Sequence, residues 1–311
     1  YMAPEIEDST EIKLAGTKPF DEFLEAQKSV IKTKPVIIGA FTFLKLARFT
    51  GNKGIADFAD AVSSAYCDYL AKLSELGAEW AEFDEPYLVT DLSAEDISLF
   101  VSLYKKILSA KNGVKVLLQT YFGDIRDCYS QVCGLDFDGI GLDFVEGKKS
   151  FELVTEKGFP KDKILFAGVV NGKNIWKNHY SNTIITVSEL KKHCNEIVLN
   201  TSCSLLHVPC TLRNETKLPE SVKKHFAYAE EKLTELSELK KILSSENPFE
   251  TAEYIANAAV CNEKRSGMNE AVRRNVEKLS EKDFIRLPEF AEREKIQKKR
   301  FGLPPLPTTT I

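Results

Sequence analysis

The sequence predicts an α/β fold with a parallel sheet, of the (β/α)₈ TIM-type barrel class. It is expected to lack the barrel's first two strand–helix units and to continue into a helical segment and a linker. Three observations predict this. Between residues 34 and 205 one grammar recurs six times: a short apolar or β-branched run ending in a polar residue, then a longer segment of helical periodicity. The runs are almost continuously apolar, as strands covered on both faces of a parallel sheet must be. No glycine-rich phosphate loop follows any of them, which weighs against the competing architecture, an open doubly wound sheet of six strands.

In chain order, the predicted strands are 34–41, 80–86, 114–120, 139–145, 164–171 and 197–203. After the first, Ile55, Phe58, Val62, Tyr66, Tyr69, Leu73 and Leu76 recur at steps of three, four or seven and define one helical face, which Gly77 ends as a C′ glycine. Asp91 or Ser93 is placed to cap a helix through Ile97, Val101, Tyr104 and Leu108. Pro219 stands where a first-turn proline belongs, ahead of a long helix through Phe226, Leu233, Leu236 and Leu243. A closed barrel needs eight such units in ~250 residues. Six are counted, so the two absent ones are expected ahead of Tyr1.

From residue 244 the character changes. Ser244, Ser245, Asn247 and Pro248 make a break, followed by helical stretches over 250–261 and 272–279 and a segment, 282–300, rich in both charge signs. Its terminal Gln297-Lys298-Lys299-Arg300 reads as a solvated helix end set favourably against the dipole. Gly302-Leu303-Pro304-Pro305-Leu306-Pro307 cannot be helix and reads as an extended linker, after which Thr308-Thr309-Thr310-Ile311 begins something strand-like. The expected division is therefore barrel over 1–243, helical extension over 244–300, and linker plus the start of a further element over 301–311.

The 311 residues, 43% hydrophobic, suffice for a sizeable core. Lys+Arg 42 against Asp+Glu 46 gives a net charge of −4, with no overall basic field to hold nucleic acid. No apolar run approaches the ~18 residues of a membrane span, and the opening Tyr1-Met2-Ala3-Pro4 is no signal peptide, so a cytoplasmic protein with no membrane partner is expected. An initial Tyr suggests a segment of a longer chain. Seven cysteines, at 67, 128, 133, 194, 203, 210 and 261, are an odd number and read as reduced thiols.

In a barrel the chemistry sits where strands end, which singles out Asp84 and Glu85, Thr120, Asp143, Asn171 and Cys203. Asp84-Glu85-Pro86 would put one carboxylate toward the barrel mouth and one aside, suited to holding a cationic or amide-bearing ring or to acid–base work. The alternative is a helix cap or a loop salt bridge. Cys203, His207 and Cys210 have the Cys-x₃-His-x₂-Cys spacing of three zinc ligands, against which stands the alternative of buried thiols behind the sheet. No G-x-S-x-G elbow is present, so a serine hydrolase is not indicated.

Several strings, in order from the first residue to the last, carry a more specific signal: Tyr1-Met2-Ala3-Pro4-Glu5, Asp84-Glu85-Pro86, Thr120-Tyr121-Phe122-Gly123-Asp124, Gly168-Val169-Val170-Asn171-Gly172-Lys173-Asn174-Ile175-Trp176, Ser202-Cys203-Ser204-Leu205-Leu206-His207, and Leu303 through Ile311. Together they resemble the cobalamin-independent methionine synthase family, which transfers a methyl group from 5-methyltetrahydropteroyl-polyglutamate to homocysteine. The family is built of two (β/α)₈ barrels, with the zinc and the chemistry in the C-terminal one. The resemblance implies that this chain is most of the N-terminal barrel plus the interdomain linker, and that 308–311 open the catalytic barrel.

It also implies what is absent: an Arg-Glu-Leu-Lys string and a later Lys used on the folate's polyglutamate tail, and the whole catalytic barrel with its zinc ligands. At the equivalent strand ends stand Thr120 and Phe122, Asp143 and Cys203, and Asn171 takes the place of the family's proton-donating His, so the implied site is degenerate and no zinc is expected in this chain. Ile311 matches the first residue of the family's homocysteine-binding Ile-Gly-Ser string. Asp84 and Glu85 are retained as remnant substrate-binding candidates. The chain alone is expected to be inactive. Two other hypotheses stand beside this one: a stand-alone, non-enzymatic barrel scaffold, and a barrel enzyme with its own zinc at Cys203, His207 and Cys210.

Overall fold

Six of the predicted apolar runs are strands, and all six lie parallel in one sheet. They are β2 (Val36–Ile38), β4 (Trp80–Asp84), β5 (Lys115–Gln119), β6 (Gly139–Asp143), β7 (Ile164–Val170) and β8 (Glu196–Thr201). Two short strands, β1 (Glu5–Ile6) and β3 (Arg48–Phe49), form a separate parallel pair that the sequence did not announce. The computed structural model describes residues 3–263 and 269–306. It has two compact units, Tyr1–Asn262 and Glu263–Ile311.

The order in the main sheet is β2-β4-β5-β6-β7-β8, so every new strand is laid beside the previous one on the same side. A doubly wound sheet reverses direction at a switch point. This one never does, and single winding is how a (β/α) barrel is built. Strand alternation assigns the faces. Phe83 of β4 meets the rings of Tyr66, Tyr69 and Tyr104 on the covering helices, whereas Trp80, three residues earlier, meets Phe166 of β7 across the inner face. Glu82 and Asp84 share the face of Trp80.

Helix Ile55–Glu75 follows the predicted apolar stripe, burying Phe58, Val62, Tyr69 and Leu73. Gly77 ends it at φ +77°, the left-handed region, with its N–H bonded to Ser74 O and that of Ala78 to Leu73 O. Of the two predicted caps for helix Ala94–Ser109, Ser93 takes the role: its Oγ accepts from Asp96 N, and Asp96 Oδ2 accepts from Ser93 N.

The long helix expected from Pro219 is instead two helices, Glu220–Lys223 and Ala229–Leu243. The break has a tertiary cause. Phe226 forms an antiparallel bridge with Trp176, Lys177 N donates to His225 O, and Ala227 N donates to Ile175 O, so these backbone groups are used between segments rather than within a helix. Glu231 restarts the helix by accepting from Tyr228 N.

Helix Ala252–Cys261 lies in the first unit, where Asn257 accepts from Tyr180 N and donates to Asn178 O. The compositional break at 244 therefore falls inside that unit. The second unit carries helices Glu270–Glu277 and Phe290–Phe301, the latter closed by Gly302 at φ +56°. Residues 1–2 and 307–311, including Ile311, lie outside the described residues. Among the described residues, no helix is long and apolar enough to cross a membrane.

Candidate functional site

Asp84 and Glu85 turn to opposite sides, as adjacent strand residues must. Glu85 is fully buried. Its Oε1 accepts from Phe41 N at 2.9 Å and Tyr104 OH at 2.5 Å, and its Oε2 from Thr42 N at 2.7 Å and Thr42 Oγ1 at 2.5 Å. Phe41 and Thr42 are in the first turn of helix Ala40–Leu46, whose N-cap, Gly39, has no side chain to offer. The strand carboxylate thus caps that helix from outside it. A Cβ on Gly39 would lie 2.1 Å from Glu85 Oε1. Burial pushes the Glu85 carboxyl up, while the Thr42 and Tyr104 hydroxyls and the two backbone N–H groups pull it back. Glu85 is committed to the fold and does not reach the mouth.

Asp84 faces inward. Tyr121 OH donates to its Oδ2 at 3.4 Å, and Oδ1 is buried with no partner. Burial first, then the neighbouring Glu82 carboxyl, raise Asp84 to about 7, against the pull of Tyr121 and Lys34. Glu82 is ion-paired to Lys34, whose ammonium also lies 5.2 Å from the Phe166 ring centroid. Sequence reasoning missed Glu82, Lys34 and Tyr121. A signal for Glu82 existed: carboxylates at i and i+2 in an otherwise apolar strand share a face.

The other strand-end residues are spent on backbone. Asp143, buried, accepts from Phe122 N at 3.0 Å, Val145 N at 2.7 Å and Glu146 N at 2.9 Å, tying the loop after β5 to the loop after β6. Phe122 is held at φ +70°, a strained conformation for an aromatic residue. Thr120 Oγ1 donates to Gly141 O, and Asn171 Oδ1 accepts from Lys173 N and Asn174 N in an Asx turn. Lys173 pairs with Glu146 at 2.7 Å and lies 5.1 Å from the Phe122 ring centroid.

The zinc spacing does not converge. Cys203 is buried, and burial pushes its thiol up, the opposite of what a thiolate ligand requires. His207 stands edge-on to Phe122, 5.4 Å between ring centroids. Cys210 is exposed. The chain between them leaves a 3₁₀ turn, Leu205–His207, and is then fixed to helix Ala229–Leu243 through Pro209 O and Cys210 O, which accept from Ala229 N and Glu230 N. Among the described residues, no three His, Cys, Asp or Glu side chains are gathered to hold a metal ion. The residues present do not fit a zinc site.

The rim has two further features. The loops after β5, β6, β7 and β8 each present one exposed apolar side chain, Phe122, Val145, Trp176 and Leu206. A cavity of about 400 Å³ opens between the loops after β6 and β7 and the start of helix Tyr180–Leu190, with Asn171, Asn174 and Lys177 beside Phe144, Val145 and Trp176 in its wall.

Comparison with known proteins agrees with this geometry. Residues 1–195 match the family model described as the N-terminal domain of cobalamin-independent synthase. The 5-methyltetrahydropteroyltriglutamate–homocysteine methyltransferase of Streptococcus sanguinis is 50% identical over 311 residues, covering 100% of this chain and 40% of its own length. The protein of the same name from Campylobacter jejuni subsp. doylei is 48% identical over 313 residues, covering 100% of this chain and 41% of its own. The chain thus spans about 40% of the length of these relatives. Among solved structures, a putative vitamin-B12-independent methionine synthase from Listeria monocytogenes superposes with a TM-score of 0.56 at 14% identity, over 76% of this chain and 71% of that one, a likeness of fold. The chain therefore belongs to the cobalamin-independent methionine synthase family and corresponds to its N-terminal domain.

Proposed function

We propose that these residues are most of the supporting, folate-tail-binding and structural N-terminal region of a zinc-dependent methyltransferase that carries a methyl group from 5-methyltetrahydropteroyl-polyglutamate to homocysteine, giving methionine. The observation that carries this reading is the state of the strand ends. Glu85, Asp143, Thr120 and Asn171 bond backbone or buried hydroxyls, and no metal-ligating group is gathered among the described residues. In this reading a barrel mouth so occupied supports the reaction rather than activating the thiol. Its four exposed apolar side chains suit it to form a wall against the C-terminal catalytic barrel. Zinc and its ligands belong to that second barrel, outside these 311 residues.

In this reading Asp84 is the one inner carboxyl of the Asp84-Glu85 pair that faces substrate, and Ile311 opens the homocysteine-binding string. The assay is methyl transfer from the polyglutamylated folate to homocysteine by the purified chain, alone and with the remaining portion of the protein supplied separately. Turnover is expected only in the second case. Methionine formed by the isolated chain would overturn the assignment.

A further inference from the structure

Three residues of the string over 168–176, namely Asn171, Asn174 and Trp176, stand in the wall of the cavity of about 400 Å³ between the loops after β6 and β7. The backbone orients both amides. Asn171 Oδ1 accepts from Lys173 N at 2.8 Å and Asn174 N at 3.0 Å, and Asn174 Oδ1 accepts from Trp176 N at 3.1 Å. A backbone N–H can only donate, so the oxygen of each amide is spent and its NH₂ is the end left over. In the same wall, the Lys177 ammonium and the Asn182 amide have no hydrogen bond or ion pair among the described residues. His179 Nδ1, also there, is buried with no partner. Phe144, Val145 and the half-exposed ring of Trp176 supply the apolar part.

The wall contains no Asp or Glu, in a chain with 46 of them against 42 Lys and Arg. Glu146, next to Val145, is paired with Lys173, and Glu235 accepts from Asn178 N and acts on Lys177 only through space. Unspent donors, one ammonium and no carboxylate are what an anion requires. The volume is of the size that holds a small organic molecule, and the apolar wall gives a bare ion nothing, so the anion must be carried on a carbon frame.

We propose that this cavity binds the carboxylate of a small organic acid, with Lys177 as its counter-ion, the Asn171, Asn174 and Asn182 amides as neutral donors, and the apolar wall against its carbon chain. A single ammonium matches the one charge of a carboxylate and leaves the larger charge of a phosphate uncancelled. Two sources share this chemistry: a free dicarboxylate, and the γ-linked glutamates of a folate tail. Only the second source rests on the reading of the chain as a tail-binding region. The cavity stands without it.

Tryptophan emission of the full 311-residue chain, at nanomolar concentration, reports on the cavity through Trp176. Glutarate and γ-linked triglutamate are titrated at constant ionic strength, with glutaramide as the neutral isostere and inorganic phosphate as the bare anion. Equilibrium dialysis with labelled glutarate and triglutamate counts binding independently of emission. Saturable binding of glutarate or triglutamate is expected, absent with glutaramide, weakened about tenfold in Lys177→Met and weakened in Asn182→Ala. Neither substituted side chain has a partner to lose, so both variants should keep the parent's thermal midpoint. Triglutamate binding more tightly than glutarate identifies the tail as the source, and equal or weaker binding identifies a free acid. Either supports the carboxylate site. It is refuted by no saturable binding in both measurements, by glutaramide or phosphate binding as tightly as glutarate, or by unaltered binding in Lys177→Met. Methyl transfer by the assembled protein is a separate readout, so this site can fail while methionine is still formed.

Discussion

Glu85 is a carboxylate shut away from water and held by four donors, two of them backbone N–H groups in the first turn of a helix. Removing it leaves those groups buried and unpaired, a loss of the full desolvation penalty rather than of a single net hydrogen bond. Glu85→Ala is therefore expected to cost about 3–5 kcal/mol, read from the urea midpoint of unfolding. Glu85→Gln, which keeps the shape but sets an NH₂ against donors, should cost less, about 2 kcal/mol. A loss below ~1 kcal/mol for the alanine variant would show that the helix end is satisfied by water. The sequence marks Asp84-Glu85-Pro86 as a place of interest, but not which carboxyl serves the fold. That depends on Gly39, Phe41 and Thr42, more than forty residues away, whose approach no local pattern encodes.

At the scale of elements, β5, β6 and β7 were legible because burial on both faces leaves a run with almost no polar residue, and β2 and β8 because they keep the same apolar character although part of each is exposed. The helix face of 55–76 was legible because its period is local. The pair β1 and β3 was not, since two residues are too few for any period to register. The break between Lys223 and Ala229 was not, because the bridge from Trp176 to Phe226 overrides the helical pattern from a distance. The loop that begins that bridge is fixed by Gly172, where an added Cβ would lie 2.3 Å from Cys203 O. A backbone oxygen cannot swing aside as a side chain can. Gly172→Ala should push the loops after β7 and β8 apart and destabilise by about 1–3 kcal/mol, measured by thermal unfolding. An unchanged midpoint would mean the two loops are not held in register by this contact.

At the scale of the molecule, single winding leaves the sheet with β2 and β8 as its outer members among the described residues. A barrel closes by pairing its first and last strands and so has no edge. Here the outer strands carry apolar side chains into solvent: Val36 is 49% exposed and Ile38 41% on β2, and Val198 36% on β8. Both the unpaired backbone and the uncovered side chains favour strand addition between copies. The chain is accordingly expected to self-associate at micromolar concentration, and Ile38→Lys to reduce that association, because a charge on a three-residue edge strand resists pairing with a second sheet. Light scattering as a function of concentration measures both. If the lysine variant scatters as strongly as the parent, association proceeds through another surface, and the exposed apolar side chains of helices Glu270–Glu277 and Phe290–Phe301 become the place to substitute next.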